Sequence, residues 1–552
     1  VDAKGKKVEP DPGAHVLLLQ KGTEVLTIAA TKSGIAAEIP PGEYDVVYGS
    51  GGGRKGEGQP VHVKLGANRE ASAKIVVSEG ARVDLMCSSS TEPANAMPCK
   101  FSFDSLDGTA PVDFGPGGSA GPAKNQITTA TGILHDFPIS PGNYRVTASR
   151  GPEWDTAAKD ITLAPGKSGE VHATLTRVVD TKGYLGCDFH QHSMLGADAP
   201  TSTRDRVISN VAEGVEVAVA SEHNIVADFT PYVNELHLER ELVEIPGDEI
   251  TTDAALVPWG HMNVFPLHPD PTKPRDGAID ASLTPTQVID LAAKIPYPHV
   301  VQINHPRAWN IGYFDLAKYD PKTGLAGAPW YDGRFDAVEV WNGRNIESRD
   351  KVRTDYFSLL MHGHPVTPTA NTDTHGVIGQ EAGYPRTFVR VDDDGPTTGW
   401  NDARSADLVK GIVERRDVVL TNGPFLKVDV NGVGIGAIAK GKHLLVHVVV
   451  QSAPWVTVDK IGLTFGSGAS LERPLVTKLN GAGALEGVVD FQVASPKDDV
   501  VSVWVSGSKP MTPVLNGDPS EIMPYAMTGA IWIDADGDGK TLGRETKPAA
   551  KK

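Results

Sequence analysis

The alternation of hydrophobic and polar residues changes its period along the chain of 552 residues. Between residues 15 and 178, apolar and polar residues alternate in short runs, which is the pattern of half-buried β-strands. A Pro-Gly turn precedes such a run in IPPGEYDV at 39–46 and again in ISPGNYRV at 139–146. The repeat predicts two related β-sandwich modules, one over 15–80 and one over 81–178.

Residues 183–424 follow a different pattern, in which helical and strand periods take turns. TSTRDRVISNVAEG precedes the apolar run VEVAVAS, TPTQVIDLAAKI precedes HVVQINH, and RTDYFSLLMHG precedes PVTPTAN. This alternation is typical of a β/α barrel. Short strands such as HLLVHVVVQ return after Pro424 between Gly, Pro and Ser turns, and they predict a C-terminal β-sandwich over 425–545.

The predicted fold class is therefore multidomain, α/β plus all-β, with a β/α barrel flanked by N-terminal β-sandwich modules and a C-terminal β-sandwich. Residues 1–14 are polar and rich in Lys, Gly and Pro, so they predict a flexible tether, and 546–552 predict a disordered tail. A tether left after processing favours an exported protein, whether periplasmic, surface-tethered or secreted, although a cloning boundary would look the same. The partner of the N-terminal modules stays unspecified, and structural support or adhesion is their expected role.

The charge balance narrows the range of partners. The chain carries 52 Lys and Arg against 69 Asp and Glu, which gives a net charge of −17 at pH 7. Such a surface repels phosphate polymers and anionic lipid, so we expect no nucleic-acid partner. The sequence contains no run of about 18 apolar residues, so no transmembrane helix is expected.

The three cysteines have separate interpretations. Cys87 and Cys99 flank SSSTEPANAMP in a predicted β region, where a hairpin disulfide and two reduced thiols are equally compatible with the spacing. Cys187 stands alone beside Asp188 at the start of the first barrel strand. We interpret it as a small buried residue and not as a nucleophile.

Potential metal ligands recur where apolar strands of the predicted barrel give way to polar turns. His190 and His192 stand two residues apart on an extended segment, so both imidazoles point to the same face. Glu249 can bridge two cations with its two oxygens, and Asp373 can bind a metal and hold a water molecule. Since barrel enzymes gather their chemistry at the C-terminal ends of the strands, the series predicts a metal-dependent hydrolase. The nine candidate ligands are His190, His192, Asp198, His223, Glu249, His261, His305, Asp373 and His375.

The motifs that carry these residues resemble the PHP (polymerase and histidinol phosphatase) domain, and more closely its CehA/McbA-like metallohydrolase branch. They are DFHQHS, SEHN, GDEIT, GHMN, NHP and TDTHG, in this order. The likeness continues through EVWNGRN at 339–345, RRDVVLTNGPFL at 415–426 and YAMTGAIWIDADGDG at 525–539. The resemblance implies a distorted, seven-stranded β/α barrel over 183–424 that holds two or three Zn, Mn or Fe ions.

The resemblance also implies how the ligands are shared. The implied sets are His190, His192, Glu249 and Asp373 for one ion, Glu249, His261 and His305 for a second, and Asp198, His223 and His375 for a third. The family usually places its aspartate five residues after the second histidine, whereas here position 197 is alanine and Asp198 lies at six. Glu222 occupies a position where the family commonly has Asp, and we expect it beside the ligands and not among them.

The expected reaction is hydrolysis by a water molecule that loses its proton between two cations and attacks a phosphorus or carbonyl centre. A phosphoesterase is the first expectation, with Arg307 and Arg344 contacting phosphate oxygens, although surface salt bridging is the alternative for both arginines. Carbamate, carboxyl-ester or amide hydrolysis is the alternative reaction, and the substrate would be a small anionic ester or a carbamate. A catalytically decayed secreted binding protein is the alternative of another class. The expected catalytic residues are Asp373, Glu249, His305, Arg307 and Arg344.

A second metal motif lies near the C-terminus. Asp534, Asp536 and Asp538, with Gly539 and Glu545, fit the spacing of a calcium loop. The strand-like run AIWID precedes them where an EF-hand would have a helix. The motif therefore predicts an isolated structural Ca²⁺ loop or, alternatively, a solvated acidic turn.

Overall fold

The computed structural model describes residues 1, 4–8, 10, 14–49, 59–77, 79–114, 122–196, 198–394, 402–515 and 522–545. The chain divides into two compact units, one of Val1–Arg150 with Thr156–Thr176 and one of Gly151–Asp155 with Arg177–Lys552. Strands make up most of the regular structure in both units. No helix among the described residues is long and apolar enough to cross a membrane.

The first unit begins with one antiparallel sheet in the order β2, β1, β3, β4. Its strands are β1 (His15–Gln20), β2 (Thr23–Ala29), β3 (Gly42–Gly49) and β4 (Val61–Leu65). One face of the sheet is apolar because alternate residues of β1, among them Val16 and Leu18, are buried against Tyr48 and Val77.

The rest of the first unit is a two-layer β-sandwich, which confirms the predicted β-sandwich character of this region. One sheet has the order β11, β10, β6, β8, β7 and the other the order β12, β5, β9. The strands are β5 (Ala81–Ser89), β6 (Cys99–Leu106), β7 (Pro122–Ala123), β8 (Gln126–Thr129), β9 (Ile133–Ile139), β10 (Gly142–Ser149), β11 (Ala157–Leu163) and β12 (Ser168–Leu175). Cys87 in β5 and Cys99 in β6 are both buried and are not joined by a disulfide.

The repeated Pro-Gly-x-Tyr motif forms the same hydrogen bond in both halves of this unit. The Tyr44 hydroxyl donates to the Pro40 carbonyl at 2.7 Å, and the Tyr144 hydroxyl donates to the Ser140 carbonyl at 2.8 Å. Each bond reaches back four residues and fixes the turn that leads into β3 or β10. This is the tyrosine corner of β-sandwich domains, and it gives the sequence repeat a structural reason.

Replacement of Tyr144 by phenylalanine is expected to lower the free energy of unfolding of the first unit by about 1 kcal/mol, because a buried hydrogen bond to the Ser140 carbonyl is lost. Urea unfolding followed by circular dichroism measures the effect. Tyr44→Phe is the companion variant, and it is expected to lose less because its hydrogen bond is only partly buried. An unchanged urea midpoint in Tyr144→Phe would contradict the assigned role of the corner.

The second unit contains the remaining regular structure. Its strands are β13 (Tyr184–Gln191), β14 (Val217–Ala220), β15 (Val243–Pro246), β16 (Asp248–Thr251), β17 (His261–Phe265), β18 (Val300–Ile303), β19 (Ala337–Asn342), β20 (Thr367–Asn371), β21 (Arg386–Arg390), β22 (Val418–Thr421), β23 (Phe425–Val430), β24 (Ile438–Lys440), β25 (His443–Ser452), β26 (Lys460–Phe465), β27 (Ser470–Pro474), β28 (Lys478–Leu479), β29 (Leu485–Ala494), β30 (Asp499–Ser506), β31 (Tyr525–Thr528), β32 (Ile531–Asp534), β33 (Lys540–Thr541) and β34 (Arg544–Glu545). The α-helices of the described residues are α1 (Thr203–Ala212), α2 (Thr230–Glu235), α3 (Pro285–Ala292), α4 (Tyr313–Leu316), α5 (Ile346–Met361) and α6 (Asp402–Lys410).

Three large sheets organise this unit. An eleven-stranded sheet runs in the order β15, β14, β13, β21, β22, β31, β30, β26, β27, with β24 and β32 attached to it. A five-stranded sheet has the order β16 to β20, and a four-stranded antiparallel sheet has the order β23, β25, β29, β28. Helices α1, α3 and α5 precede the parallel strands β14, β18 and β20, as the alternation of sequence periods predicts.

The eleven-stranded sheet crosses the predicted domain boundary between residues 424 and 425. Strand β22 precedes this boundary and pairs with β31 near the C-terminus in the register Val419↔Thr528. Asn422 extends the pairing, because its side chain accepts from the Tyr525 amide at 2.8 Å. Sequence periodicity locates strands but does not identify their partners, so the pattern alone could not show this continuity.

The eleven-stranded and five-stranded sheets meet where β13, β16 and β20 end or begin. The Asp373 amide donates to the His190 carbonyl at 2.8 Å, and the Glu249 amide donates to the Glu222 carbonyl at 3.1 Å. Beneath these contacts lies a continuous apolar core that includes Phe189. The junction thus brings the polar ends of several buried strands together.

Candidate metal centre

Glu249 on β16 occupies the middle of a cluster of imidazoles. Its side chain is fully buried, and so are those of His190 and His192. The distances from its carboxylate oxygens are 2.8 Å to His223 Nδ1, 3.1 Å to His190 Nε2, 3.2 Å to His261 Nδ1, 3.4 Å to His305 Nε2 and 3.6 Å to His192 Nε2. One carboxylate therefore faces five histidines that come from the ends of four strands, β13, β14, β17 and β18.

Two aspartates complete the cluster. Asp373 Oδ1 lies 3.0 Å from His192 Nε2 and 3.3 Å from His190 Nε2. Asp198 Oδ2 lies 2.9 Å from His223 Nε2 and 3.0 Å from His375 Nε2. The structure thus brings together all nine of the candidate ligands that the sequence contains.

The donor atoms fall into four overlapping sets, within each of which all atoms lie within 4.8 Å of one another. The sets are His190, His192 and Glu249; His223, Glu249 and His261; His190, His305 and Asp373; and His192, Asp198, His223 and His375. Asp198 joins His223 and His375 as expected, despite its shifted position in the sequence. The sharing differs from the expected one in three ways. His305 is grouped with His190 and Asp373, His223 takes the place expected of His305 beside Glu249 and His261, and His192 also joins the Asp198 set.

The donor set fits transition-metal ions. His190 Nε2 and His192 Nε2 are buried close to carboxylate oxygens, yet neither forms a hydrogen bond with any described residue, and the same holds for His305 Nδ1. Buried nitrogens without a partner are costly in a folded protein. Imidazole and carboxylate groups that converge without hydrogen-bond alignment are the ligands that Zn, Mn and Fe ions accept.

The electrostatics of the cluster favour a cation. Burial alone would raise the pKa of Glu249, but the facing imidazoles, His190 foremost, hold it well below its usual range. Conversely, burial acts to lower the pKa of His190, whereas Asp373 and Glu249 raise it well above its ordinary value. Burial lowers the pKa of His192 to about 4, so that imidazole is neutral. The carboxylates thus attract positive charge, and a metal ion would supply it while leaving the imidazoles neutral, as ligation requires.

Two ligand positions have unusual backbone conformations. Asp373 has a φ of 50° and His305 a φ of 26°, both in the left-handed region that residues with a side chain rarely adopt. Such strain persists where the surrounding structure holds a residue in place, and it is concentrated at functional sites.

The sequence analysis missed Glu339 on β19, which is 1% exposed. Its carboxylate accepts from the His305 amide at 2.6 Å and from Asn371 Nδ2 at 3.0 Å, and it lies 3.0 Å from His190 Nδ1. A carboxylate on the second nitrogen of a ligating histidine fixes the tautomer and the orientation of the ring. The available signal was a charged residue between Val338 and Val340 in an otherwise apolar strand.

Other polar residues hold the remaining ligands. Asn304 Nδ2 donates to Glu249 Oε1 at 2.8 Å, and Asp253 Oδ1 lies 3.1 Å from His261 Nε2. Glu222 accepts from the amides of Ser193 at 2.8 Å and Gly196 at 3.0 Å, and burial raises the pKa of this carboxyl to about 7. Glu222 thereby fixes the turn between His192 and Asp198.

The two arginines expected to contact substrate are both paired with carboxylates. Arg307 forms two hydrogen bonds of 2.7 Å with Asp355 and one of 3.1 Å with Asp315. Arg344 pairs with Glu381, which is 1% exposed. For both residues the structure shows the salt bridging that was the alternative to substrate contact.

Replacement of Arg307 by alanine is expected to lower the free energy of unfolding by about 3 kcal/mol, because Asp355 would remain buried without its partner. Urea unfolding measures the loss. Lys351→Ala breaks the exposed pair with Glu347 on the same helix and is expected to change stability by less than about 0.5 kcal/mol. Lost turnover with unchanged stability in Arg307→Ala would instead indicate substrate contact.

Carboxylates of the acidic loop near the C-terminus accept hydrogen bonds from backbone amides of the same loop. Asp534 accepts from the amides of Gly537 at 2.7 Å and Gly539 at 3.0 Å, and Asp538 accepts from that of Lys540 at 2.7 Å. The carboxylates that lie close together are those of Asp498, Asp534 and Asp536, so the sequence motif missed Asp498. The side chain of Glu545 lies outside the described residues.

Comparisons with known proteins do not identify a family. No protein-family model matches the chain, and no curated protein matches it. Among solved structures, the minor pilin GBS52 of Streptococcus agalactiae is 15% identical over 31% of this chain and 86% of its own, with a TM-score of 0.15. A streptococcal ancillary pilin is 12% identical over 35% of this chain and 70% of its own, with a TM-score of 0.16. Likenesses this low carry no argument about fold or function.

Proposed function

We propose that the protein is a metal-dependent hydrolase that holds two or three divalent transition-metal ions in a PHP-type site. The observation that carries the proposal is the meeting of nine donor side chains, of which the buried carboxylate of Glu249 is the central one. The contact between the ends of β13, β16 and β20 is compatible with a distorted β/α barrel that closes around the cluster.

When bound, such ions supply Lewis acidity and a hydroxide nucleophile at neutral pH. Glu249 would hold neighbouring ions together, because its two oxygens face different imidazoles. Asp373 Oδ2 accepts from Asn342 Nδ2 at 3.1 Å, while Oδ1 faces the histidines. Asp373 Oδ1 would therefore bind metal and hold a water molecule beside it, while Asn342 fixes the other oxygen.

Phosphoester hydrolysis is the first candidate reaction, since a multinuclear site neutralises the charge of a phosphoryl group without help from arginine. Carbamate or carboxyl-ester hydrolysis is the second candidate. It is favoured by the pairing of Arg307 and Arg344 with carboxylates, which removes two cations from phosphate recognition. A catalytically decayed binding protein would have lost some of the donors, and the complete set of nine speaks for an active site.

The test is turnover of a chromogenic panel by the Zn- or Mn-loaded protein, with phosphomonoester, phosphodiester, carboxyl ester and carbamate as substrates. We expect release that chelator abolishes and added metal restores, together with two or three metal equivalents per chain by elemental analysis. Release from the phosphoesters alone would select the first candidate, and release from ester or carbamate alone the second. A chain that takes up no metal would refute the proposal.

A further inference from the structure

Large apolar side chains are exposed on three loops and at the start of α5, in segments that follow strands contributing to the cluster. They are Met194 (62% exposed), Leu195 (47%), Leu256 (100%), Val257 (56%), Trp309 (83%) and Ile346 (47%). The three loops follow β13, β16 and β18, which carry or lead to His190, Glu249 and His305, and α5 follows β19, whose Asn342 donates to Asp373. Single exposed apolar residues are ordinary, but a group gathered around one site indicates binding.

Hydrogen bonds fix these loops beside the ligands. Met194 and Leu195 lie in the turn whose two amides bind Glu222, next to His192. Thr252 closes the loop of Leu256 and Val257, because its hydroxyl oxygen accepts from the Trp259 amide at 2.9 Å and donates to the Gly260 carbonyl at 2.9 Å. The bases of both loops are therefore held by hydrogen bonds beside His192 and His261 in the chain.

The turn of Trp309 is held most firmly. The Trp309 amide donates to Asp315 at 3.0 Å, and Asp315 is itself paired with Arg307. Trp309 has a φ of 55°, so an indole ring is presented to solvent from a strained left-handed backbone. The turn also packs against the neighbouring loop, because a side-chain carbon on Gly260 would lie 2.9 Å from the Tyr313 nitrogen. The turn of Trp309 is thus connected through Asp315 to the ion pairs of Arg307.

We infer that these six residues form an apolar rim that binds the hydrocarbon portion of an amphiphilic substrate, whose anionic or polar scissile group sits on the metal cluster. The inference rests on the proposed function, because the rim has this role only if the cluster holds metal. The pairing of Arg307 and Arg344 with carboxylates leaves recognition of the scissile group to the metal cluster. A small ester with an alkyl or aryl group has this chemistry.

The test uses n-alkylphosphonates from methyl to octyl, which resist hydrolysis and present a metal-binding head with a tail of chosen length. Calorimetry with the Zn- or Mn-loaded full chain is expected to show an affinity that rises about threefold with each added methylene until the rim is covered. Trp309→Ala and Leu256→Ser are expected to flatten this dependence without changing the affinity for methylphosphonate. Val476→Ala is the matched control, because Val476 is 75% exposed in the C-terminal part of the chain and is expected to leave the series unchanged.

The outcomes separate the rim from the metal site. If the loaded protein bound every phosphonate with equal affinity, the rim would be refuted and the proposed function would stand. The same conclusion would follow if the affinity still rose with tail length in both Trp309→Ala and Leu256→Ser. Failure of the chain to take up metal would refute both proposals. Binding of the loaded protein to phosphatidylcholine vesicles, lost in Trp309→Ala, would assign the rim to a lipid surface and overturn the inference of a small-molecule substrate.

Discussion

Glu249→Gln is expected to lower kcat/KM by about a thousandfold or more and to reduce the metal content by at least one equivalent per chain. The amide keeps the shape of the side chain but loses the negative charge that faces five imidazoles. Without the Glu249 carboxylate, no shared negative charge would offset the repulsion between neighbouring metal ions. Steady-state kinetics on the best panel substrate and elemental analysis of the same preparation measure the two effects.

Glu244→Gln is the matched control for this change. Glu244 on β15 is 2% exposed in the same unit, and burial raises its pKa well above the ordinary value, so the loss of charge in an amide costs little there. We expect normal activity and metal content in this variant. Full metal content and activity in Glu249→Gln would show that the central carboxylate has no role in the site.

Glu339→Ala is expected to weaken metal binding by about ten- to a hundredfold, although Glu339 is not among the expected ligands. Without its carboxylate, His190 loses the group that orients its ring, and the His305 amide loses its acceptor. Competition with a chromophoric chelator measures the affinity. Glu339→Gln is expected to recover part of the loss, because its amide oxygen still accepts hydrogen bonds.

Glu347→Gln serves as the control for Glu339, because Glu347 lies eight residues further along the chain with its side chain 82% exposed. We expect this variant to bind metal with unchanged affinity. If Glu339→Ala retained the affinity of the original protein while folding normally, the proposed orientation of His190 and His305 would be wrong.

Local features of this fold could be predicted from the sequence. The strand of HLLVHVVVQ appears as β25, and the helices of TPTQVIDLAAKI and RTDYFSLLMHG appear as α3 and α5. These elements are determined by the period of their own apolar residues and by caps such as Thr284, which forms a capping box with Gln287. Positions of this kind depend on neighbours within a few residues along the chain.

Features that depend on distant partners could not be predicted in the same way. Arg307 follows a ligand in the sequence, but its partner Asp355 lies 48 residues away on α5. Glu339 and His190 are separated by 149 residues, and the motif around Glu339 contains no spacing that reveals their contact. The nine ligands could be predicted because strand ends converge in a β/α arrangement. Their hydrogen-bond partners could not, because these depend on tertiary packing that no sequence period encodes.

The pairing of β22 with β31 indicates that the part of the chain that carries the metal centre does not fold as a separate fragment. A fragment that ended at the predicted domain boundary after Pro424 would lack β31. Strand β22 would then be an unpaired edge strand, which promotes aggregation. Such a fragment would therefore fail for reasons unrelated to its ligands. A genetic rearrangement that separated the segments before and after Pro424 would therefore be selected against. We expect these two segments to unfold together in a single cooperative thermal transition.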